Sequence, residues 1–205
     1  MKIALISIFL DDGYEHILDD EFMENVVCQE DHYYHRIAHL LRMGNHDPIV
    51  FYISVEKELK KFTHKYGHTV IRVPAKKIPF LHEPIVYSPE LIKQVKNNFD
   101  ISLLFSYYVM YKVPDMFDYI IRKLKGKMPI MTRWSGGQHK WLFPIRKKIK
   151  KSALQNCDKI ICGGKEEIEV LKNVFKIPNS KIEFMINPHN LELFKNRDRI
   201  EACKK

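Results

Sequence analysis

The sequence predicts an α/β domain built on a doubly wound, mostly parallel sheet of about seven strands flanked by helices. Two patterns carry this expectation. Short and nearly continuous apolar runs, such as residues 3–10 and 101–105, have the composition of strands buried on both faces. Segments with helical apolar spacing lie between such runs, so strand and helix alternate, and no repeat or low-complexity stretch interrupts them. Composition agrees, because 205 residues with 45% apolar and 29% charged content describe a globular chain long enough for one large core.

Residues 2–10 read as the buried first strand. A long acidic insertion follows over 11–28, with Asp11, Asp12, Glu15, Asp19, Asp20, Glu21 and Glu24; loops of that length are often functional. A helix is expected over 30–43, with Tyr33, Ile37, Leu40 and Leu41 on one face and Gly44 to end it. His32, His35 and His39 fall at i, i+3 and i+7 on that helix. The spacing suits a transition metal, but no carboxylate is placed behind the imidazoles, so they read as a polar flank and no metal is expected.

A strand is expected at 48–53, a short helix at 58–66 and a strand at 69–73. Pro74, Pro79, Pro84 and Pro89 then punctuate an irregular crossover. Ser88-Pro89-Glu90 starts a helix, with Pro in the first position. Residues 100–105 read as a strand ending at Ser106-Tyr107-Tyr108, 113–125 as a helix stopped by Gly126, and 128–132 as a strand that stops at Arg133.

The most informative stretch is 128–194, which reads as strand, Gly-rich loop, basic helix, strand, helix, strand and polar exit loop. Its loop is Trp134-Ser135-Gly136-Gly137-Gln138-His139. Adjacent glycines let a backbone approach a ligand closely or turn with positive φ, and the C-terminal ends of parallel strands are where open α/β sheets bind ligands. A plain strand-to-helix turn reads the same way. Trp134, Tyr107 and Tyr108 at strand ends suit stacking on a sugar or lipid, and equally suit packing beneath loops.

Net charge is +9 and concentrates after that loop. Lys140, Arg146, Lys147, Lys148, Lys150 and Lys151 interleave with Trp141, Leu142, Phe143, Ile145 and Ile149. That composition fits an amphipathic segment lying on an anionic membrane surface, the alternative being a surface helix whose apolar side covers the sheet. It matches no nucleic-acid motif, so nucleic acid is not the expected partner. Apolar runs are too short to cross a bilayer, and the N-terminus lacks a signal-peptide pattern, so a cytoplasmic protein is expected. Cys28, Cys157, Cys162 and Cys203 have no C-x-x-C spacing and read as reduced, structural residues.

Several segments resemble a family when taken in order. Ala153-Leu154-Gln155-Asn156-Cys157-Asp158-Lys159-Ile160-Ile161-Cys162, the helix at Glu166–Leu171, Ile177-Pro178-Asn179-Ser180-Lys181-Ile182 and Ile186-Asn187-Pro188-His189-Asn190-Leu191-Glu192-Leu193-Phe194 are similar to successive signatures of glycosyltransferase family 4, the group 1 enzymes. Asp100–Phe105 resembles a further segment. The resemblance implies a Rossmann-like domain over 1–194, one half of a GT-B architecture, with 195–205 as linker and first turn of a C-terminal donor-binding domain.

By the same resemblance the whole protein would be a retaining glycosyltransferase of the hexosyltransferase type. It would move a sugar from a nucleotide-sugar donor to a glycan or lipid-linked acceptor at the inner face of the plasma membrane. This domain alone would bind no cofactor and would be inactive. The alternative is a non-catalytic module of the same fold that binds glycan, lipid or protein. The implied cleft takes in Gly13, Tyr107, Tyr108, Arg133 to His139, and Asn187. Only Gly13 stands where the family has a glycine-rich loop, and Trp134 stands where it has a sugar-contacting His, with His139 five residues later. Arg133 is the group suited to phosphate, since a guanidinium forms paired hydrogen bonds.

Overall fold

The computed structural model of the chain describes residues 1–10, 33–54, 57–78, 85–107, 115–135 and 144–186. Its strands are β1 (Lys2–Leu10), β2 (Asp47–Ser54), β3 (Lys60–Thr63), β4 (Thr69–Pro74), β5 (Lys76–Ile78), β6 (Ile85–Tyr87), β7 (Ile101–Tyr107), β8 (Ile130–Ser135), β9 (Lys159–Cys162) and β10 (Ile182–Phe184). The helices are α1 (Tyr33–Met43), α2 (Pro89–Val95), α3 (Met116–Leu124), α4 (Pro144–Gln155) and α5 (Lys165–Asn173).

Eight strands make one sheet in the order β10-β9-β8-β7-β1-β2-β4-β3. Every pairing is parallel except β3 with β4. From β1 the chain therefore steps one way through β2 and β4, then returns to lay down β7 to β10 on the other side. The doubly wound, mostly parallel fold is as expected, with eight main strands rather than about seven and a small β5–β6 hairpin besides.

Alternate strand residues feed two cores, as a pleated sheet requires. Ala4, Ile6, Phe51, Ile53 and Ile130 face α2 to α5, from which Leu91, Phe117, Ile120, Leu154 and Leu171 close the larger core. Ile3, Leu5, Val50, Val70 and Leu103 face α1, where Tyr34, Ile37 and Ala38 cover them. Leu40, expected on the inner face of that helix, is more than half exposed, and His35 is buried in the inner face instead.

The starts of several elements are fixed by short polar side chains. Ser88 caps α2, its Oγ accepting from the Leu91 amide at 3.1 Å and donating to the Pro74 carbonyl at 2.7 Å. Asp115 caps α3 in a reciprocal box with Asp118, each carboxylate accepting the other's amide at 3.0 Å. Asp158 accepts from the Ile130 amide at 2.8 Å and Asp100 from the Lys2 amide at 2.7 Å, clipping the N-terminal ends of β8 and β1.

Two local expectations are corrected. The helix expected at 58–66 is the strand β3 followed by a turn. Lys60, Lys61, Phe62 and Thr63 alternate, Phe62 packs on the smaller core, and pairing with β4 overrides a helical propensity that is only a weak prior. Gly67, at φ +76°, makes the reversal. The strand expected to stop at Arg133 continues to Ser135, with Arg133 beside Phe105 and Trp134 beside Ser106.

Candidate functional site

The change of winding direction lies between β1 and β7, which are hydrogen-bonded neighbours with helices on opposite faces of the connections they start. In open α/β sheets the ligand crevice forms outside the carboxyl ends of the strands at such a point. The carboxyl ends here are Leu10, Tyr107, Ser135 and Cys162. Tyr107 and Ser135 are register partners, so the expected loops on β7 and β8 do leave adjacent strands. Gly13, Tyr108, Gly136, Gly137, Gln138, His139, Lys140, Trp141 and Asn187 lie outside the described residues, as does the acidic insertion.

Trp134 does not offer its ring to that edge. It is only 2% exposed and meets Phe175 edge to face, with centroids 5.7 Å apart, inside the larger core. Alternation sends Arg133 to the opposite face. Its side chain is 5% exposed and crosses the backbone just beyond β9, where a Cβ added to Gly163 would collide with the guanidinium. Of the expected cleft residues whose side chains are described, Arg133 is the one placed at the carboxyl edge with charge to offer.

The neighbouring glycine pair is committed elsewhere. The Gly163 and Gly164 amides donate to one carboxylate oxygen of Glu167 at 2.8 and 3.1 Å, so the first turn of α5 ties down the two residues that precede it. An anion reaching for those two glycine amides would first have to displace Glu167. Cys162 beside it is buried, and burial pushes its thiol up to about 12, with Glu167 adding and Arg133 opposing. Burial likewise pushes the Cys157 thiol up to about 12. Both are protonated and inert at neutral pH, as the structural reading of these cysteines expects.

The basic helix divides in two. Lys150 leaves the surface patch, because its side chain is 0% exposed and its Nζ donates to Asp115 at 3.0 and 2.9 Å and to Asp118 at 3.1 Å. Ala153 and Leu154 form the buried side with it. Arg146, Lys147, Lys148 and Lys151 stay at least partly exposed, beside Ile145 at 72% and Ile149 at 37% exposure. Those two isoleucines therefore do not serve to cover the sheet. Among the described residues no helix is long and apolar enough to cross a membrane.

The histidines regroup in a way that helical spacing did not show. His35 joins His64 and His68, at the two ends of the β3–β4 turn, while His39 stacks on Tyr66 with centroids 4.4 Å apart. Ring nitrogens of His35, His64 and His68, one from each, all lie within 4.8 Å of one another. Burial lowers His68 to about 4, with His64, Arg42 and His39 adding to the effect. The signal that could have found the pair is His64-Lys65-Tyr66-Gly67-His68, two histidines astride a glycine turn.

No family model matches the sequence. No curated protein matches it either. Solved structures do match its fold. Sucrose-phosphate synthase from Thermosynechococcus elongatus superposes with a TM-score of 0.57 at 13% identity, covering 94% of this chain and 49% of that one. A glycosyltransferase from Rickettsia africae ESF-5 superposes with a TM-score of 0.52 at 16% identity, covering 99% of this chain and 48% of that one. The chain spans about half the length of each of those two proteins. At such identity the likeness is one of architecture alone, a Rossmann-like α/β domain.

Proposed function

We propose that this chain is the acceptor-side half of a glycosyltransferase, which moves a sugar from a nucleotide-sugar donor to a glycan or lipid-linked acceptor. The observation that carries the reading is the end-to-end match of this domain to half of two sugar-handling proteins. The winding switch between β1 and β7 adds to it, since that is where such a sheet takes a ligand.

Loss of a nucleoside diphosphate from a sugar leaves negative charge on the departing phosphates, and a fixed guanidinium stabilises that charge better in the transition state than in the ground state. Among the expected cleft residues whose side chains are described, Arg133 has the chemistry for that work, and its near-complete burial means that it must be uncovered to do it. The remaining donor contacts fall to a second lobe, which this reading requires. The exposed basic and isoleucine side of α4 would hold the complex against an anionic membrane surface, where a lipid-linked acceptor resides.

The test uses the full-length protein with UDP-, GDP- and ADP-sugars, each with and without a membrane lipid extract, and follows nucleotide release and sugar incorporation. Acceptor-dependent release from one donor is expected. Absence of release from every donor, with glycan or lipid still bound, would give the protein to the second reading, a binding module of the same fold. The Glu167 carboxylate already filling the Gly163 and Gly164 amides is the observation that favours that alternative.

A further inference from the structure

We propose that His35, His64 and His68 form a binding site for a divalent transition-metal ion of the zinc class, which pins the β3–β4 hairpin to α1. The three residues come from separate places, α1, the residue after β3 and the residue before β4, and each is almost wholly buried. Their rings lie face to face, with centroids 4.2 Å apart for His35 and His64 and 4.5 Å for His64 and His68. A buried imidazole brings two nitrogens that need partners; those of His35 face His68 and Tyr52, and His64 Nδ1 faces the Tyr66 amide. His68 Nδ1 is buried with none.

His35 Nδ1 and His68 Nε2 are 2.9 Å apart, a distance across which one proton can be shared. Two ligands on a tetrahedral zinc ion, each bound at about 2.0–2.1 Å, sit about 3.3 Å apart. To take an ion the two rings must part slightly and turn so that both lone pairs meet at one point, and His64, stacked on them, must turn its ring edge toward the same point. Behind His35 stands a partner for the tautomer that ligation needs. Its Nε2 lies 3.2 Å from the Tyr52 hydroxyl, and a proton held there leaves the lone pair on Nδ1, toward His68.

His64 carries a specific consequence. The Tyr66 amide points at its Nδ1 at 3.2 Å. Ligation through Nδ1 takes that lone pair, and ligation through Nε2 leaves Nδ1 protonated, so either route breaks this contact and shifts the turn. The turn is otherwise held by the His64 amide on the His68 carbonyl at 2.9 Å, and by Arg42, which donates to the Tyr66 carbonyl over Gly67. Three nitrogen donors without carboxylate select zinc, copper, nickel or cobalt over magnesium or calcium. The Arg42 charge nearby also disfavours any cation that does not bond strongly to imidazole.

The site lies at the β3 side of the sheet, away from the carboxyl ends of β7 to β9, so its work is to fasten the hairpin and not to transfer sugar. It stands independently of the glycosyltransferase reading.

The test is Co2+ added to EDTA-stripped, full-length protein and followed by visible absorption, with Zn2+ followed by calorimetry. One ion per chain is expected, with the intense visible bands of a four-coordinate cobalt site. Affinity should fall by about 10–100-fold or more in His68→Gln and His64→Gln, and hold in His46→Gln, outside the cluster. Absence of the cobalt bands in the unmodified protein overturns the proposal, and so does binding that is unchanged in His68→Gln. The cobalt spectrum needs no variant, so a variant that fails to fold does not shield the idea.

Discussion

Lys150 closes on Asp115 with both carboxylate oxygens in reach, at 3.0 and 2.9 Å, and so joins α4 to the capped start of α3. Asp118 shares the same ammonium at 3.1 Å, which leaves two buried carboxylates on one buried cation. Burial pushes the Asp115 carboxyl up to about 7, with Asp118 adding to the rise and Lys150 opposing it. Its folded value is above the ordinary 3.8, so the folded state holds the proton more tightly. The stability this adds is full below the unfolded value and is lost as pH rises through about 7.

Lys150→Met removes the cation from both carboxylates. Breaking a buried pair in this way costs about 3–5 kcal/mol. The loss should be largest at pH 8 and should shrink toward pH 5, where Asp115 takes up a proton in place of the missing ammonium. Denaturant unfolding of the variant and parent across that range reads it. A deficit that grows as the pH falls would refute the account.

Trp134 serves the core, so Trp134→Ala should cost about 3–5 kcal/mol, as truncation of a buried aromatic does. Trp134→Phe keeps most of the contact with Phe175 and should retain donor and acceptor affinity. Equilibrium unfolding beside ligand titration distinguishes this from a sugar-stacking role, in which Phe would retain stability and lose affinity.

Gly163→Ala sets a methyl group against the Arg133 guanidinium and moves it. The displaced group is the far end of a flexible side chain, so thermal stability should change little. Under the proposed function, sugar transfer by the full-length protein should fall by about tenfold to a hundredfold, the usual result of small misplacement at a reacting centre. Adding Gly163→Ala to Arg133→Ala should make no further difference.

Charge reversal at Lys147 and Lys148 should weaken co-sedimentation with phosphatidylserine vesicles by about tenfold or more, given the worth of each cation near an anionic surface. Ile145→Ser with Ile149→Ser should weaken it as well, in a way that salt does not mimic. Retention of full binding by both double variants would remove α4 as a membrane contact.

What was legible in the sequence is what period and composition encode. The apolar runs of β1 and β7, the cap at Ser88 and the alternation of strand and helix all have local causes. Asp100 and Asp158, which carry part of the family resemblance, turn out to clip strand starts at the end of the sheet opposite the carboxyl edge. That resemblance therefore spoke first about fold. Less legible were features made by non-local pairing. β3 exists because β4 lies beside it, and Lys150 is buried because Asp115 and Asp118, more than thirty positions away, await it. His35 looked like a helix flank until His64 and His68 arrived from the hairpin.

The antiparallel β3 gives the sheet two unlike ends. Lys60 and Lys61 sit on the outermost strand at one end, where any added strand would bring charge into the join. At the other end β10 has three residues, and Phe184, Met185 and Ile186 emerge exposed. The two ends of the sheet are therefore unlike: among the described residues one meets a newcomer with charge, and the other with apolar side chains. Among the described residues, a strand that joined this sheet through apolar contact would do so beside β10 and not beside β3.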